Sequence, residues 1–405
     1  MRHLHGSRDG PAVKDRHYSL VIPAFMDAAL ALVQTTVPLL ALAFRASDIL
    51  LSTIGWVPQA VRLPVCLTAG RLSERAGRIK VIIPGACLVA VGAAGLAAAR
   101  SNVHVIISYT LVLAAMGVFY PPLQALIGDV SKPEQLARNL GAFNVGWCTG
   151  GALAGLGAAA LVRIDLSLAP LAAVCAALTS GALVLFWRRS ARRDGRPAEE
   201  TEEGGPAPAH ATRFLLIARM SHFTGYFGFA TIRILFPKLG LSLGWSRAEV
   251  AVVVAMLLAG QAAGILTSSA SPWWRGKIWP QLAAQSTMLA CAVATTLASS
   301  PVLLGATFFG LGTSLGVSYS AALYHGLFAG KDRGRNTGIH ESLVAAGNVA
   351  GCLLGGVAAQ TISARAPYIL FGCVAGACLL STAVMARGLR GRRCASQSRA
   401  VTPGS

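Results

Sequence analysis

Long apolar segments separated by short polar loops occupy most of the chain. A helix that spans a bilayer needs about 20 mostly apolar residues. Several segments have about that length and carry no Asp, Glu, Lys or Arg: 81–99, 139–162, 166–187, 250–274 and 366–386. The uncharged segment 278–324 is about twice as long and must turn once, which the sequence Ser299-Ser300-Pro301 predicts. The pattern therefore predicts a membrane protein built from helices.

Segments that hold one or a few ionisable groups bring the predicted number of membrane-spanning helices to twelve. These spans cover residues 18–43, 47–70, 80–99, 104–127, 137–162, 166–187, 213–236, 248–270, 278–298, 301–325, 336–360 and 366–386. The predicted fold class is all-α: a polytopic membrane protein with twelve transmembrane helices in two pseudo-symmetric six-helix bundles.

The distribution of Lys and Arg predicts which loops face the cytoplasm. Most of the 35 Lys and Arg residues lie in the two termini and in alternate loops. Because cytoplasmic loops carry the excess of Lys and Arg, both termini are predicted to be cytoplasmic. The predicted parts are an N-terminal tail (1–17), a first bundle (18–187), a cytoplasmic linker (188–212), a second bundle (213–387) and a C-terminal tail (388–405).

Composition excludes several classes of protein. Of the 405 residues, 54% are apolar and only 13% are charged, about half the charged share of soluble proteins, which excludes an ordinary cytosolic enzyme. The net charge of +19 does not indicate nucleic-acid binding, because the basic residues form short clusters without interleaved aromatics. The sequence has no phosphate-binding P-loop and no H-E-x-x-H motif. We therefore expect no enzymatic activity, no cofactor and no metal.

One four-residue frame occurs at matching positions of the two predicted bundles. The sequence R-N-L-G at 138–141 opens span 5, R-N-T-G at 335–338 opens span 11, and Gly150 then matches Gly347. Both helices continue with small residues at four-residue spacing, which lets helix backbones approach closely in lipid. We interpret the two frames as an internal duplication, and independent enrichment in Gly and Ala is the alternative.

The loop after span 2 reads G-R-L-S-E-R-A-G-R-I-K over residues 70–80. This sequence resembles the signature loop of the major facilitator superfamily, G-x-L-a-D-r-x-G-r-k, and it follows the second span as it does in that family. With twelve spans and a central linker, the resemblance covers nearly the whole chain. It implies the fold of that family and secondary active transport by alternating access.

The resemblance also implies a gating latch that holds the outward-open state. Gly70, Gly77 and Arg78 match the family pattern, and Glu74 replaces the usual Asp. Glu74 is predicted to face the N-terminus of a partner helix, where an anion is favoured. Arg78 is predicted to pair with Asp129 at the end of span 4. The alternative is that the basic residues of the loop only fix topology.

Ionisable side chains within the spans identify candidate binding and coupling residues, because such groups are costly in lipid and usually face a cavity. Asp27 and Gln34 share one face of span 1. Asp27 is either a proton-coupling site or a structural hydrogen-bond partner of a neighbouring helix. Arg62 in span 2 is predicted to bind an anionic group or to pair with Asp27, and snorkelling is the alternative.

Further polar groups lie in the second bundle. One face of span 7 carries Arg219, His222, Tyr226 and Arg233. In span 11, His340 and Glu341 suit proton coupling, because a His beside a carboxylate titrates near neutral pH. A buried ion pair of Glu341 with Arg219 or Arg335 is the alternative. His325, at the end of span 10, is a further coupling candidate.

Aromatic rings and amides in the first bundle suit a small polar solute. Tyr120 and Gln124 share one face of span 4, and Asn144 and Trp147 share one face of span 5; interhelical packing is the alternative. The predicted substrate-binding residues are Gln34, Arg62, Tyr120, Gln124, Asn144, Trp147, His222 and Tyr226. The predicted coupling residues are Asp27, His325, His340 and Glu341.

The predicted function is secondary active transport of a small polar solute, coupled to protons. Basic groups outnumber carboxylates within the spans, which favours a solute with an anionic group, and uniport of an uncharged solute also fits. Drug or metabolite efflux is an alternative, although span 4 lacks the Arg and span 5 the G-P pair of many drug-exporting members. A sensor or scaffold on the same fold is another. We expect a monomer in the plasma (inner) membrane whose partners are the solute, protons and lipid.

Overall fold

The computed structural model describes residues 11–46, 48–193, 209–245, 247–328 and 332–400. These residues form twelve α-helices. Their bounds are α1 Pro11–Ala43, α2 Asp48–Ala76, α3 Arg78–Ala97, α4 Asn102–Val130, α5 Pro133–Ile164, α6 Leu168–Arg193, α7 Ala209–Ser242, α8 Arg247–Ala270, α9 Trp279–Leu297, α10 Pro301–Phe328, α11 Arg333–Thr361 and α12 Ala366–Ala400. The prediction of an all-α protein with twelve helices is confirmed.

Within the described residues, nine helices are long and apolar enough to cross a membrane. The other three are α2, α7 and α9. Arg62 lies in the middle of α2, Arg219 and Arg233 lie in α7, and α9 contains the buried amides Gln281 and Gln285. These polar groups lower the mean hydropathy of helices that the sequence pattern places among the twelve spans. The chain is a multi-pass membrane protein.

The terminal helices are longer than the predicted spans. α1 begins at Pro11, inside the predicted tail 1–17, and α12 continues to Ala400, inside the predicted tail 388–405. Residues 194–208 of the predicted linker lie outside the described residues, as do residues 1–10 and 401–405. The predicted boundaries between tails, bundles and linker stay predictions.

Proline and serine residues define several helix starts. Pro133 and Pro301 occupy the first positions of α5 and α10, where a missing backbone N–H removes no helical hydrogen bond. The hydroxyl of Ser101 accepts a hydrogen bond from the backbone N–H of His104 at 3.4 Å and so caps α4. Because α9 ends at Leu297 and α10 begins at Pro301, the predicted turn between them is confirmed.

The chain divides into two compact units. The first comprises Met1–Ala209, Ile265–Ser271 and Leu323–Ala346, and the second comprises His210–Gly264, Pro272–Ala322 and Gly347–Ser405. In the first unit, α1 packs against α5 and α6, α3 packs against α4 and α6, and α2 packs against α4. In the second unit, α9 packs against α12.

The matched glycines of the repeat make close helix contacts in both units. In the first unit, Gly150 of α5 lies against the backbone carbonyl of Ala24 of α1, with no space for a Cβ atom. In the second unit, a Cβ atom at Gly347 of α11 would lie 2.9 Å from the carbonyl oxygen of Phe223 of α7. The fifth helix of each half therefore packs tightly on the first helix of the same half, as small residues allow.

Candidate functional site

A buried ion pair joins α2 and α11 in the first unit. Nη2 of Arg62 donates to Oε2 of Glu341 at 2.5 Å, and Nε2 of Gln124 in α4 donates to Oε1 of the same carboxylate at 2.6 Å. The exposed fractions of Arg62, Gln124 and Glu341 are 9%, 0% and 4%. Because an unpaired charge is costly in such surroundings, the carboxylate and the guanidinium depend on each other.

Contacts on both sides of this pair hold the first turns of α11 against α2 and α4. Oγ1 of Thr337 donates to the carbonyl oxygen of Pro121 at 2.8 Å, and Oγ of Ser342 donates to that of Leu63 at 2.9 Å. Between them, a Cβ atom at Gly338 would lie 2.7 Å from a backbone carbonyl oxygen of α2. The absence of a side chain at Gly338 therefore brings Glu341 within reach of Arg62.

Asp27 is a second carboxylate in this region. Oη of Tyr120 donates a hydrogen bond to Asp27, and the ring of Tyr120 packs edge-on against Phe143 with 6.0 Å between the centroids. Arg62 and Glu341 both interact electrostatically with Asp27. The half-buried Asp27 thus lies near the buried pair of Arg62 and Glu341, and we call Asp27, Arg62, Gln124 and Glu341 the buried charge cluster.

The ion pair differs from the pairings that the sequence suggested. The sequence suggests Asp27 as a partner of Arg62, and Arg219 or Arg335 as a partner of Glu341. Arg62 and Glu341 instead bind each other. The reason is that the first turns of α11 pack against α2, and helical spacing within one span does not reveal which other span lies beside it.

The signature loop reaches the start of α11. Oε1 of Glu74 accepts a hydrogen bond from the backbone N–H of Arg335 at 2.8 Å, at a helix end where the dipole favours an anion. Asp129 bridges two arginines: Nε of Arg78 lies 2.9 Å from Oδ2 and Nη1 of Arg333 lies 3.1 Å from Oδ1. The structure thus brings together Arg78 and Asp129, and places Glu74 at a helix N-terminus.

Two glycines shape the signature loop. Gly77 has a φ of 94°, a left-handed conformation that glycine adopts without strain. Gly70 lies against the backbone of Gly334, with no space for a Cβ atom. Oγ of Ser73 accepts from Nη1 of Arg78 at 2.8 Å and donates to the carbonyl oxygen of Gly70 at 2.7 Å. Ser73 therefore fixes the direction in which Arg78 points.

A buried aromatic cluster in the second unit contains two predicted binding residues. His222 is fully buried, and its ring lies 5.0 Å from that of Tyr226 and 5.5 Å from that of Tyr319. Nε2 of Gln261 donates to Oη of Tyr226 at 3.3 Å. Arg233, on the predicted polar face of span 7, is exposed and lies 6.0 Å above an aromatic ring of its own helix.

The remaining predicted residues are distributed over four helices, α1, α5, α10 and α11. In α5, Nε1 of Trp147 donates to Oδ1 of Asn144 at 3.3 Å, and Asn144 is buried. Gln34 is half-buried in α1. His325 and His340 are both buried, and His325 packs edge-on against a neighbouring tyrosine ring.

Sequence reasoning missed several residues that take part in these contacts. Ser73 lies inside the signature loop, and Thr337 inside the R-N-T-G frame, but neither position was considered for its hydroxyl. In the sequence, Arg333 is one of the many loop arginines that fix topology. Gln261, a buried amide in an otherwise apolar part of α8, is the residue that its own sequence context could have identified.

Charged groups buried between long apolar helices are typical of membrane transport proteins, because ionisable groups inside a membrane mark pathways for solutes or ions. The sequence matches the family described as Major Facilitator Superfamily over residues 20–280 and 220–399. The chain belongs to this superfamily of transporters. Among curated proteins, none matches the sequence.

Solved structures of transporters share this fold. The human organic anion transporter MFSD10 is similar with a TM-score of 0.74 and 14% identity, over 92% of this chain and 100% of that chain. The proton:xylose symporter XylE has a TM-score of 0.70 and 11% identity, over 91% and 94%. The fucose:proton symporter FucP of E. coli has a TM-score of 0.66 and 13% identity, over 92% and 98%. At these identities, the similarity concerns the fold alone.

Proposed function

We propose that this protein is a secondary active transporter that moves a small polar solute with an anionic group, coupled to protons, by alternating access. The observation that carries the proposal is the buried pair of Arg62 and Glu341. A buried guanidinium offers an anion a strong, directional partner, and a buried carboxylate can accept a proton. The similar solved structures, an organic anion transporter and two proton symporters, are consistent with this class.

Arg62 supplies the positive charge for the solute in this proposal. Gln124 and Asn144 offer amides, and Tyr120 and Trp147 offer aromatic faces, so a small polar molecule can be both hydrogen-bonded and enclosed. The other residues that we assign to solute binding are Gln34, His222 and Tyr226.

Proton coupling is assigned to the carboxylates and histidines within the helices. Two carboxylates, Asp27 and Glu341, share one guanidinium, so the buried charge cluster carries an excess negative charge unless one of them is protonated. Because excess charge is costly away from water, such a group favours proton uptake. His325 and His340 are the other coupling residues that we propose.

The contacts of the signature loop support a latch. Glu74 holds the first turn of α11, and Arg78, Asp129 and Arg333 form a charged bridge between α3, α4 and α11. We assign Gly70, Glu74, Gly77, Arg78 and Asp129 to this latch, which stabilises one transport state and releases α11 in the other. We further propose that the protein acts as a monomer in the plasma (inner) membrane with both termini cytoplasmic.

Uptake into proteoliposomes tests the proposal. The purified protein is reconstituted with an inward proton gradient and offered radiolabelled carboxylic acids, sugars, amino acids and cationic drugs. We expect accumulation of an acidic solute and loss of that uptake in Arg62→Ala. Arg163→Ala is the matched control, since it removes an exposed arginine at the end of α5 and leaves uptake unchanged.

Two results would contradict the proposal in different ways. Transport of a cationic drug that survives Arg62→Ala would favour drug efflux. A protein that moves no solute from the whole panel, yet binds another protein, would favour a sensor or scaffold. Thermal-shift measurements with the same solutes separate failed binding from failed transport, because a ligand that binds the folded state raises its stability.

A further inference from the structure

The guanidinium of Arg62 already binds the carboxylate of Glu341, and this contact affects how an anionic solute can bind. Glu341 places a carboxylate oxygen 2.5 Å from Nη2 of Arg62, which is the interaction that an acidic solute would make. Arg62 is 9% exposed and Glu341 is 4% exposed. With so little open surface on the pair, an incoming anion must replace Glu341 rather than join it.

We infer that the carboxylate of Glu341 occupies the place of the solute's own carboxylate at Arg62, so that protonation of Glu341 precedes binding of a small monocarboxylate. This inference rests on the proposed function and names its substrate class and coupling step. One proton from the medium binds to Glu341, the neutral acid leaves Arg62, and the solute carboxylate takes its place. One proton and one monocarboxylate then move together, and the step transfers no net charge.

The charges around Glu341 favour this order of events. Arg62 and Cys66 face it from α2, Asp27 interacts with it from α1, and His340 precedes it in α11. An anion that entered while Asp27 and Glu341 were both ionised would leave one guanidinium among three carboxylates. Because like charges repel strongly away from water, a proton on Glu341 is the simplest way to admit the solute.

Gln124 is suited to both protonation states of Glu341. Its Nε2 donates to Oε1 of Glu341 at 2.6 Å, which matches a charged carboxylate. Its own Oε1 is buried and has no hydrogen-bond partner among the residues that the structure describes. Rotation of the amide would present this oxygen to the O–H of a protonated Glu341. The same side chain can therefore satisfy the acid after it leaves Arg62.

Measurements on proteoliposomes test this exchange. The probes are radiolabelled acetate, lactate, pyruvate and benzoate, with glucose and a quaternary ammonium ion for comparison, and a dye inside the vesicles reports proton entry. For the unmodified protein, we expect entry of one proton with each monocarboxylate, and uptake that does not respond to membrane potential. The apparent affinity for the monocarboxylate should fall as the pH rises, by up to about tenfold per pH unit, because the fraction of protein that can bind the solute falls with the proton concentration.

The Glu341→Gln variant separates binding from coupling. Because glutamine carries no charge, it does not compete with the solute's carboxylate for Arg62 at any pH. We expect monocarboxylate binding that no longer weakens as the pH rises, exchange of labelled for unlabelled solute, and loss of accumulation driven by a proton gradient. Glu134→Gln, which changes an exposed carboxylate in the first turn of α5, is the matched control and should keep the original pH profile.

Several results would overturn the inference. Monocarboxylate uptake by the unmodified protein without proton entry would do so, whether or not Glu341→Gln folds. A Glu341→Gln variant that folds but loses monocarboxylate binding, or that keeps the original pH dependence, would do so as well. Transport of glucose or the ammonium ion, with no transport of the acids, would overturn the inference. That result would still show that the protein is a transporter. Failure to move any probe or any other solute would contradict the proposed function itself.

Discussion

The two copies of the R-N-x-G frame carry different chemistry about one helical turn after the frame. In α5 the frame is followed by Phe143 and Asn144, and in α11 by His340 and Glu341 at the matching positions. Asn144 is neutral and accepts a hydrogen bond within its own helix. Glu341 is charged and binds Arg62 on another helix. The duplication thus has a neutral amide in one copy and a carboxylate, which needs a cation or a proton, in the other.

The frame itself has the same structural role in both copies. Nδ2 of Asn139 donates to Oγ of Ser131 at 2.8 Å, and Nδ2 of Asn336 donates to the carbonyl oxygen of Gly326 at 2.9 Å. Each asparagine therefore binds the end of the preceding helix, α4 or α10, and fixes the turn into the next one. We call this asparagine contact between consecutive helices the joint. Both copies have the joint, whereas only one copy has the ionisable group.

The largest effect on stability should come from removing the carboxylate of Glu341, which only the second copy has. Glu341→Ala removes the carboxylate that binds Arg62 directly, and removal of one partner of a buried pair costs about 3–5 kcal/mol of stability. Asn144→Ala removes a neutral hydrogen bond to the half-buried Trp147, which costs about 0.5–1.5 kcal/mol. Chemical unfolding in detergent measures both.

A double variant distinguishes a lost charge pair from lost packing at the same position. Arg62→Met combined with Glu341→Met removes both charges and keeps apolar volume, so it should be more stable than either single change. Equal losses for Glu341→Ala and Asn144→Ala would contradict the contrast between the two copies.

The glycine of the frame should show the next largest effect. In α11, a Cβ atom at Gly338 would lie 2.7 Å from a backbone carbonyl oxygen of α2, whereas in α5 a Cβ atom at Gly141 would lie 2.9 Å from the side chain of Ser269. Gly338→Ala should cost about 1–3 kcal/mol, as overpacking does, and Gly141→Ala should cost less. Thermal unfolding of the two variants gives the difference.

A second substitution sharpens this prediction. Ser269→Gly should rescue Gly141→Ala, because it removes the side chain that the new methyl group meets. No substitution can remove the backbone carbonyl that faces Gly338, so that variant should stay destabilised. If Gly141→Ala were the more harmful change and Ser269→Gly gave no rescue, the two close contacts would not differ as described.

Much of the fold follows from the sequence alone, because helix number depends on the length and polarity of segments along the chain. The contact between Arg78 and Asp129 was also predicted, since the signature loop fixes one partner and the end of α4 supplies the other. The pair of Arg62 and Glu341 was not predicted. These residues are 279 positions apart, and they meet only because Gly338, one turn before Glu341, lets α11 approach α2.

The position of Glu74 gives a smaller expected effect. The α5 helix has Glu134 in its own first turn. The first turn of α11, R-G-R-N at 333–336, has no acidic residue, and Glu74 of α2 accepts a hydrogen bond from its backbone instead. Glu74→Gln should therefore weaken the first turn of α11 by about 0.3–1 kcal/mol. Hydrogen exchange at the amide of Arg335 should become about two to five times faster.

The equivalent change in α5 provides the comparison. Glu134→Gln should loosen the first turn of α5 by a similar amount in every transport state, because the acid lies in the same helix. Glu74→Gln should act only in the state in which α11 binds the loop. Unchanged exchange at Arg335, together with an unchanged transport rate, would show that Glu74 contributes nothing to the latch.

The smallest expected contrast concerns the shared asparagines. Asn139→Ala and Asn336→Ala each remove one hydrogen bond to the end of the preceding helix, so each should lower stability by about 0.5–1.5 kcal/mol. Because the joints are equivalent while the ionisable groups are not, the two losses should agree with each other more closely than the losses at Asn144 and Glu341 do. Melting temperatures in one detergent measure all four variants. A large difference between the two asparagine variants would mean that the joints have diverged along with the charges, and that the duplication no longer supplies a common framework.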